Sequence, residues 1–378
     1  MDFVEKSQGF VKFGIETDIG GNPKNQDHWF QWQNSEKRLC VFGIADGHGK
    51  YGEVVSQLTS KTILETIDEE LLETDTIGFL HRCFTVSHEK FREICPPWGD
   101  STSLGGTTLT VVAVVHNKVY VANVGDSPVY LCTKNAVLKR SMIRHEIDFA
   151  VDPEMELLHD DEDNDEDNDA FCSTLELICD HSADNLREFD RIRKQHPSEE
   201  HPGYPELLFL YDNHALNKSK DNPIFTVESA DCSRPVKNSN GKYYKNVSKQ
   251  WGTVVVGALP GYLAFTRSIG DFYWKQYGVT EQPEIQSFDL NQIANMEYDN
   301  TICIVAVSDG VSDNWLREHV GKFVMDPSCL NAVSSQPDVG AQRVALSFIR
   351  RNKIYGQRNF GDNTDNATAN IAYINLKK

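Results

Sequence analysis

Four aspartates lie where apolar segments of the sequence meet polar loops: Asp46, Asp126, Asp309 and Asp365. The segments are short and rich in Val, Ile and Thr, which is typical of buried strands. One Asp-Gly step after a strand is ordinarily a turn. Four carboxylates brought together without Lys or Arg partners repel each other, however, unless a cation lies between them. The pattern therefore predicts a metal site.

Oxygen would be the ligand in such a site. No cluster of His and Cys residues accompanies the aspartates, and carboxylate oxygens alone favour Mg²⁺ or Mn²⁺ over zinc. Two such ions about 4 Å apart, sharing one carboxylate, would lower the pKa of a bridging water and bind the oxygens of a phosphoryl group. The chemistry indicated is phosphoryl transfer to water.

A glycine-rich loop offers a second interpretation of the segment around Asp46. Residues 47–52 read G-x-G-x-x-G after an apolar run, as in dinucleotide-binding folds. That motif needs a second parallel strand that ends in an acidic residue about 20 positions later, whereas residues 61–73 keep a helical period. Asp46 would also repel a pyrophosphate. A dinucleotide site is therefore disfavoured.

The elements that would position these residues follow no strict βαβ alternation. Strands are predicted at 40–45, 108–115, 119–124, 301–307 and 369–376. The turn at 116–118 makes the second and third of them a hairpin. Helices are predicted at 54–72, 76–94, 184–195, 313–325 and 339–351. This order favours an α+β fold.

Composition limits the possible function classes. The 378-residue chain has a formal net charge of −19 and no evident basic face, which disfavours nucleic acid as a ligand. No stretch approaches the ~20 apolar residues of a membrane span, and the first residues lack a signal-peptide pattern. Nine scattered cysteines without a C-x-x-C pair favour reduced, mostly buried thiols. We expect an intracellular monomer, cytoplasmic or nuclear, with no membrane partner.

Two segments interrupt the predicted core. Residues 152–170 hold eleven Asp or Glu and no Lys or Arg, which predicts a flexible acidic loop. A calcium-binding loop beginning at Asp161 or Asp163 is excluded, because its sixth position would be Glu166 or Asn168 where Gly is required. Residues 196–251, rich in Pro, Asn, Ser and Lys and with little apolar content, predict a long loop or small flap inserted in the domain.

The order of these motifs resembles the metal-dependent protein phosphatases of the PPM, or type 2C, family, in its eukaryotic branch. The matching segments span nearly the whole chain: residues 25–27 (NQD), 41–52 (VFGIADGHGKYG), 105–127 (GGTTLTVVAVVHNKVYVANVGDS), 175–192 (LELICDHSADNLREFDRI), 263–272 (LAFTRSIGDF), 307–313 (VSDGVSD) and 365–374 (DNATANIAYI). The resemblance implies a single domain, 1–378, of the α+β class. Its architecture would be a four-layer α/β/β/α sandwich of two antiparallel sheets flanked by helices, with the acidic loop and an enlarged flap inserted.

The resemblance also implies the ligands of a two-metal site at one end of the sandwich. By analogy with the family, Asp46 bridges both ions and Gly47 offers its carbonyl oxygen. Asp309 and Asp365 complete the first metal site. The ions would be Mg²⁺ or Mn²⁺, two in number, with a third bound weakly.

The remaining implied roles concern the third metal and the proton donor. Asp126 and Asp313 match the residues that hold the family's third metal. His48 takes the position of the family's general acid. A metal-bridging hydroxide would attack phosphorus in line, and His48 would protonate the departing seryl or threonyl oxygen without a phosphoenzyme intermediate.

Several positions depart from the family pattern. Where the family places an arginine that holds the substrate phosphate, this chain has Asn22, with Lys24 close by. Lysine supplies a point charge but lacks the bidentate geometry of arginine. Arg267 is retained in its motif, and we predict phosphate binding by Asn22, Lys24 and Arg267.

The outer ligand sphere and its neighbourhood also differ. Gln26 and Asp27 are the predicted outer-sphere groups, and Gln26 stands where many members have an ionisable glutamate. Pro128 replaces a frequent arginine. None of these changes removes a direct metal ligand, so an active enzyme is expected.

The leading hypothesis is therefore a Mg²⁺- or Mn²⁺-dependent serine/threonine protein phosphatase whose partner is a phosphoprotein substrate. A degenerate family member that binds phosphoproteins without catalysis is the alternative, motivated by Asn22, Gln26 and Pro128. A two-metal nuclease or phosphodiesterase is disfavoured by the acidic composition. The flap at 196–251 is predicted to set substrate specificity.

Overall fold

The structure, a computed structural model, consists mainly of antiparallel strands and the helices packed on them. It describes residues 10–95, 105–134, 136–151, 172–178, 180–195, 207–211, 223–227, 235–238, 252–255, 261–294 and 301–376. The predicted acidic loop, 152–170, lies outside the described residues. No helix among the described segments is long and apolar enough to cross a membrane.

The strands and helices are numbered along the chain. The strands are β1 (Val11–Asp18), β2 (Asp27–Asn34), β3 (Leu39–His48), β4 (Gly106–Thr107), β5 (Leu109–Val115), β6 (Lys118–Val124), β7 (Val129–Thr133), β8 (Ile143–Asp148), β9 (Ser173–Glu176), β10 (Leu208–Tyr211), β11 (Phe225–Val227), β12 (Pro235–Lys237), β13 (Gly252–Val255), β14 (Ile269–Gly270), β15 (Glu284–Asp289), β16 (Thr301–Val307) and β17 (Ala367–Asn375). The helices are α1 (Gly52–Thr66), α2 (Glu69–Thr74), α3 (Thr76–Ile94), α4 (Leu186–Gln195), α5 (Phe272–Lys275), α6 (Asn291–Ala294), α7 (Asp309–Ser312), α8 (Arg317–Val324), α9 (Pro327–Ser335) and α10 (Pro337–Phe360).

Two large sheets form the centre of the molecule. Within the described residues, one sheet has the strand order β1-β17-β16-β7-β9. The other has the order β14-β4-β3-β5-β6-β15-β8, with β2 also paired to β3. The central strands β5 and β16 are Val- and Ile-rich and almost entirely buried, as expected for strands covered on both faces.

Three hydrophobic clusters separate four layers. Phe42 and Val112 from one sheet meet Leu131 and Ile304 from the other in the cluster between the sheets. A second cluster packs the five-stranded sheet against α8, α9 and α10, and a third packs the larger sheet against α1 and α3. The predicted α/β/β/α sandwich is therefore confirmed.

Three predicted helices are wrong in their extent, and the one predicted at 339–351 is the longer α10, Pro337–Phe360. The segment predicted as one helix, 54–72, is divided into α1 and α2, because the side chain of Asp68 accepts a hydrogen bond from Leu71 N and caps a new helix. The helix predicted at 313–325 begins later, as α8 at Arg317. The short helix α7 ends before it, at Ser312, and the side chain of Asn314 between the two helices donates to the carbonyl of Gly310.

The flap contains more structure than its composition predicted. Within its described parts β11 pairs with β12, and β10 pairs with β13, the strand that directly follows the flap. Phe209, Tyr211 and Phe225 pack with Phe265 and Trp274 in a separate small core. The predicted small flap thus has a core of its own, to which a few large aromatic side chains contribute much of the buried surface.

Candidate active site

Two adjacent strands bring the first pair of carboxylates together. Asp46 lies near the end of β3, and Asp27 begins β2 directly opposite it in the antiparallel register. Both strands are anchored in the core, since Phe30 and Ile44 are buried. The sequence pattern placed Asp46 in the loop after the strand. In the structure Asp46 belongs to the strand itself.

Ser308 connects this pair to the five-stranded sheet. Its hydroxyl donates to Asp27 Oδ2 at 2.8 Å and accepts from Thr368 N at 2.9 Å. The next residue, Asp309, starts α7. Ser308 was missed as a functional residue in the sequence, although its place before Asp309 in the VSDG motif was a usable signal.

The carboxylates strongly affect each other's ionisation. Burial raises the pKa of Asp46 well above its ordinary value, and the charges of its acidic neighbours raise it further: Asp27, Asp309, Asp365 and Asp126. Burial likewise raises the pKa of Asp27 to about 6, although hydrogen bonds from Thr368 and Ser308 oppose the shift. The site thus concentrates negative charge at considerable electrostatic cost.

The backbone around Gly47 is packed too closely for a side chain. A Cβ at this position would lie 2.3 Å from Gly52 O and 2.7 Å from Gln26 O. Gly47 N donates to Gln26 O at 3.1 Å, and the Gln26 side chain donates to Gly49 O at 2.9 Å. Gln26 therefore holds the loop after Asp46 against the start of β2.

A second loop approaches the same site from the other sheet. Asn22 Nδ2 donates to Asp365 Oδ1 at 2.7 Å. Asn366 fixes this contact, because its side chain bonds Ile19 O, Lys24 O and Gln26 N. Asn22 thus contacts a predicted metal ligand.

The two predicted cationic phosphate-binding residues lie in different environments. Lys24 is exposed and pairs with Glu53 at 2.8 Å, so a phosphate would have to compete with Glu53. Arg267 is 1% exposed and binds Asp148 at 2.7 and 2.8 Å and Glu188 at 2.5 and 3.1 Å. Its guanidinium is already shared between two carboxylates, so the phosphate-binding prediction for Arg267 does not fit the structure.

The predicted third-metal residues follow two different elements, Asp126 after β6 and Asp313 after α7. Asp126 is buried and lines a cleft of about 290 Å³ together with Ser312 and Trp315. Asp313 follows α7, and its backbone N donates to Asp309 O at 2.8 Å. Of these two side chains, Asp126 is among the charges that raise the pKa of Asp46.

His48 lies two residues beyond Asp46, at the end of β3. Its Nε2 is 2.7 Å from Asp271 Oδ2, and its ring packs edge-on against Phe265 from the small flap core. Burial alone would raise the pKa of Asp271, but the neighbouring His48 and the hydroxyl of Ser268 outweigh burial and lower it. Sequence reasoning missed this contact, because it joins residues 223 positions apart.

The donor set is chemically suited to a hard divalent cation. Among the described residues no group of three or more His, Cys, Asp or Glu side chains is already arranged as a metal-binding cluster. Asp46 nevertheless lies within electrostatic reach of four other aspartates, and Asp27 Oδ1 is buried without a hydrogen-bond partner. A bound Mg²⁺ or Mn²⁺ would compensate this charge with the ligand type it prefers.

Comparison with known proteins assigns the chain to a family. The family model of Protein phosphatase 2C matches residues 4–150 and 240–345, well over half of the chain. The chain belongs to the protein phosphatase 2C family. The match includes Asp46, Asp126, Asp309 and Asp313, whereas Asp365 lies beyond it.

Related proteins agree with this assignment. Probable protein phosphatase 2C 35 of Arabidopsis thaliana is 26% identical over 302 residues, which are 79% of this chain and 62% of that protein. The chain thus spans about three fifths of the length of this relative. The unmatched stretch between the two parts of the protein phosphatase 2C model contains the acidic loop and most of the flap.

Solved structures share the protein phosphatase 2C fold. A serine-threonine phosphatase 2C from Toxoplasma gondii has a TM-score of 0.59 at 14% identity, covering 96% of this chain and 95% of that one. A serine/threonine phosphatase of S. agalactiae has a TM-score of 0.51 at 16% identity, covering 96% and 99%. A C. elegans sex determining protein reaches 0.54 at 15% identity, covering 99% and 66%. At these identities the likeness concerns the fold.

The raised pKa of Asp27 predicts a pH-dependent stability of the metal-free protein. Between its ordinary value of 3.8 and about 6, the unfolded chain has lost this proton while the folded chain keeps it. Stability therefore falls as the pH rises through this window. We expect Asp27→Asn to be more stable than wild type by a few kcal/mol above about pH 6, because one pKa unit corresponds to roughly 1.4 kcal/mol.

Urea denaturation at pH values from about 4 to 8, in EDTA, measures this difference. The difference in free energy of unfolding between Asp27→Asn and wild type should increase as the pH rises from about 4 to about 6 and stay constant above about pH 6. Glu36→Gln, which removes an exposed charge that forms no ion pair within the described residues, is the control and should follow wild type throughout. A difference in free energy of unfolding that does not depend on pH would contradict the raised pKa of Asp27.

Proposed function

We propose that this protein hydrolyses phosphoserine and phosphothreonine in proteins, with Mg²⁺ or Mn²⁺ bound at the aspartate cluster. The observation that carries the proposal is the group of charges around Asp46, in which the repulsion of four other aspartates adds to the effect of burial. Without a bound cation, the mutual repulsion of these carboxylates lowers the stability of the folded protein. Family membership supplies the reaction class that fits it.

In this proposal the chain's residues have separate tasks. Asp46, Asp309 and Asp365 would hold the metal ions. When bound, the ions would polarise the phosphate oxygens and lower the pKa of a water molecule. His48 would give a proton to the departing seryl or threonyl oxygen.

The substrate class is tested by phosphate release from matched peptides that carry phosphoserine, phosphothreonine or phosphotyrosine. With Mn²⁺ we expect release from the first two, loss of activity in EDTA and recovery when metal is returned. Bis-p-nitrophenyl phosphate, a diester, should be a poor substrate. Efficient hydrolysis of the diester, with inert phosphopeptides, would favour a phosphodiesterase and contradict the proposal.

One contact favours a second candidate function, phosphoprotein binding without catalysis. The side chain of Asn22 bonds Asp365, so a predicted metal ligand already has a protein partner. A purified protein that releases no phosphate over a wide range of Mn²⁺ and Mg²⁺ concentrations, yet binds phosphopeptides, would establish this alternative.

A further inference from the structure

The sheet register brings His48 close to a carboxylate from a distant part of the chain. Gly106 in β4 lies opposite His48 in β3 and opposite Gly270 in β14. A Cβ at Gly106 would come within 2.6 Å of an Asp271 carboxylate oxygen. Because Gly106 has no side chain, His48 and Asp271 meet across β4.

The contact leaves the two imidazole nitrogens in different environments. Asp271 is 4% exposed, and its Oδ2 accepts from Ser268 Oγ at 2.6 Å and lies 2.7 Å from His48 Nε2. Since the carboxylate can only accept, Nε2 carries a proton. His48 Nδ1 is buried and makes no hydrogen bond within the described residues. Nδ1 is therefore the nitrogen that no described residue engages.

The backbone at Asp271 also marks the position as unusual. Its φ is +48°, in the left-handed region, directly after Gly270 at +83°. Among residues with a side chain, Asp and Asn tolerate this conformation best. A left-handed conformation of a residue with a side chain is retained only where the surrounding contacts enforce it, and such residues are frequent at active sites.

We propose that Asp271 is a positioning residue that holds His48 in the tautomer and orientation needed for proton transfer. The inference rests on the proposed function, in which His48 is the general acid. In that step phosphorus gains an oxygen from water, whose proton leaves to solvent, while the bond to the ester oxygen breaks. The proton moves from Nδ1 of the doubly protonated ring to that ester oxygen, and Nε2–H stays bonded to Asp271.

Leaving-group dependence separates this role from a purely structural one. A seryl or threonyl oxygen needs a proton as it departs, whereas p-nitrophenolate is stable without one. We expect Asp271→Asn and Asp271→Ala to lower kcat on a phosphothreonine peptide by about 10- to 100-fold, the range typical when the partner of a functional histidine is removed. On p-nitrophenyl phosphate the loss should be below about 3-fold.

A double variant tests whether Asp271 acts through His48. Asp271→Asn combined with His48→Gln should be no slower on the peptide than His48→Gln alone, because the two changes remove one function. Equal losses on both substrates, or additive losses in the double variant, would overturn the inference. Asp271→Asn, which keeps the size and backbone tolerance of Asp, guards against misfolding of the Ala variant.

A spectroscopic measurement does not depend on activity. Long-range ¹H–¹⁵N NMR of the metal-free protein, with His48 assigned through His48→Gln, should show the Nε2–H tautomer in wild type and a tautomer mixture in Asp271→Ala. An unchanged His48 signal in Asp271→Ala would overturn the inference. If wild type proves inert on all phosphate esters, the proposed function fails, while the NMR result still decides the positioning of His48.

Discussion

Replacing Asp46 with Asn is expected to abolish phosphatase activity and, at the same time, to stabilise the metal-free protein. In the proposed function Asp46 would hold the metal ions, and loss of such a ligand removes several kcal/mol of transition-state stabilisation, which corresponds to a decrease in kcat on the order of 10³-fold or more. Stability should rise because the half-buried Asp46 carboxylate, which four other aspartates repel, becomes neutral. Phosphate release and urea denaturation in EDTA measure the two effects.

The combination of effects is diagnostic of a charged metal site. The folded-state pKa of Asp46 is raised, so its charge costs stability at neutral pH and costs none once the pH is low enough to protonate it. The stabilisation should therefore shrink on acidification. Glu36→Gln, the exposed control, should change neither activity nor stability. An Asp46→Asn protein that is active, or destabilised at neutral pH, would contradict this interpretation.

Replacing Arg267 with Met is expected to destabilise the protein by about 3 to 5 kcal/mol, the cost of leaving buried partners uncompensated. Asp148 and Glu188 both bind this guanidinium, and both are buried. Glu188 would keep Arg191 as a partner at 2.9 Å, whereas the ion pair of Asp148 with Arg267 would be lost. Thermal and urea denaturation measure the loss.

An exposed arginine provides the matched control for this prediction. Arg343→Met changes the same side chain on the outer face of α10 and should alter stability by less than about 0.5 kcal/mol. If Arg267 bound phosphate instead, Arg267→Met would raise KM while leaving the denaturation midpoint unchanged. That result would restore the prediction made from the sequence motif.

Much of the sandwich could be predicted because its central strands are continuous apolar runs. The strand 301–307 was predicted with its observed bounds, and the hairpin of β5 and β6 was found because both strands are buried and joined by a short turn. The edge strands β1 and β8 were missed, since they alternate partly exposed and buried residues and carry charges. The candidate site could be predicted because its aspartates come directly at the ends of these recognisable apolar runs.

Contacts between side chains distant in sequence could not be predicted. Arg267 shares its motif with residues beside the active site, yet its environment depends on Asp148 and Glu188, which are 119 and 79 residues away. The pairing of His48 with Asp271, 223 residues apart, arises only from the register of β3, β4 and β14. The sequence motifs identified Arg267 and His48 as candidate site residues, whereas their hydrogen-bond partners became known only from the folded structure.

The most direct test of the proposed function is the rate of phosphate release from a phosphothreonine peptide by the metal-stripped protein as Mn²⁺ is titrated. We predict no measurable release without metal, a saturable rise with Mn²⁺ in wild type, and a flat response in Asp309→Asn. Release that is independent of Mn²⁺, or equal in Asp309→Asn and wild type, would contradict a phosphatase site built on these aspartates.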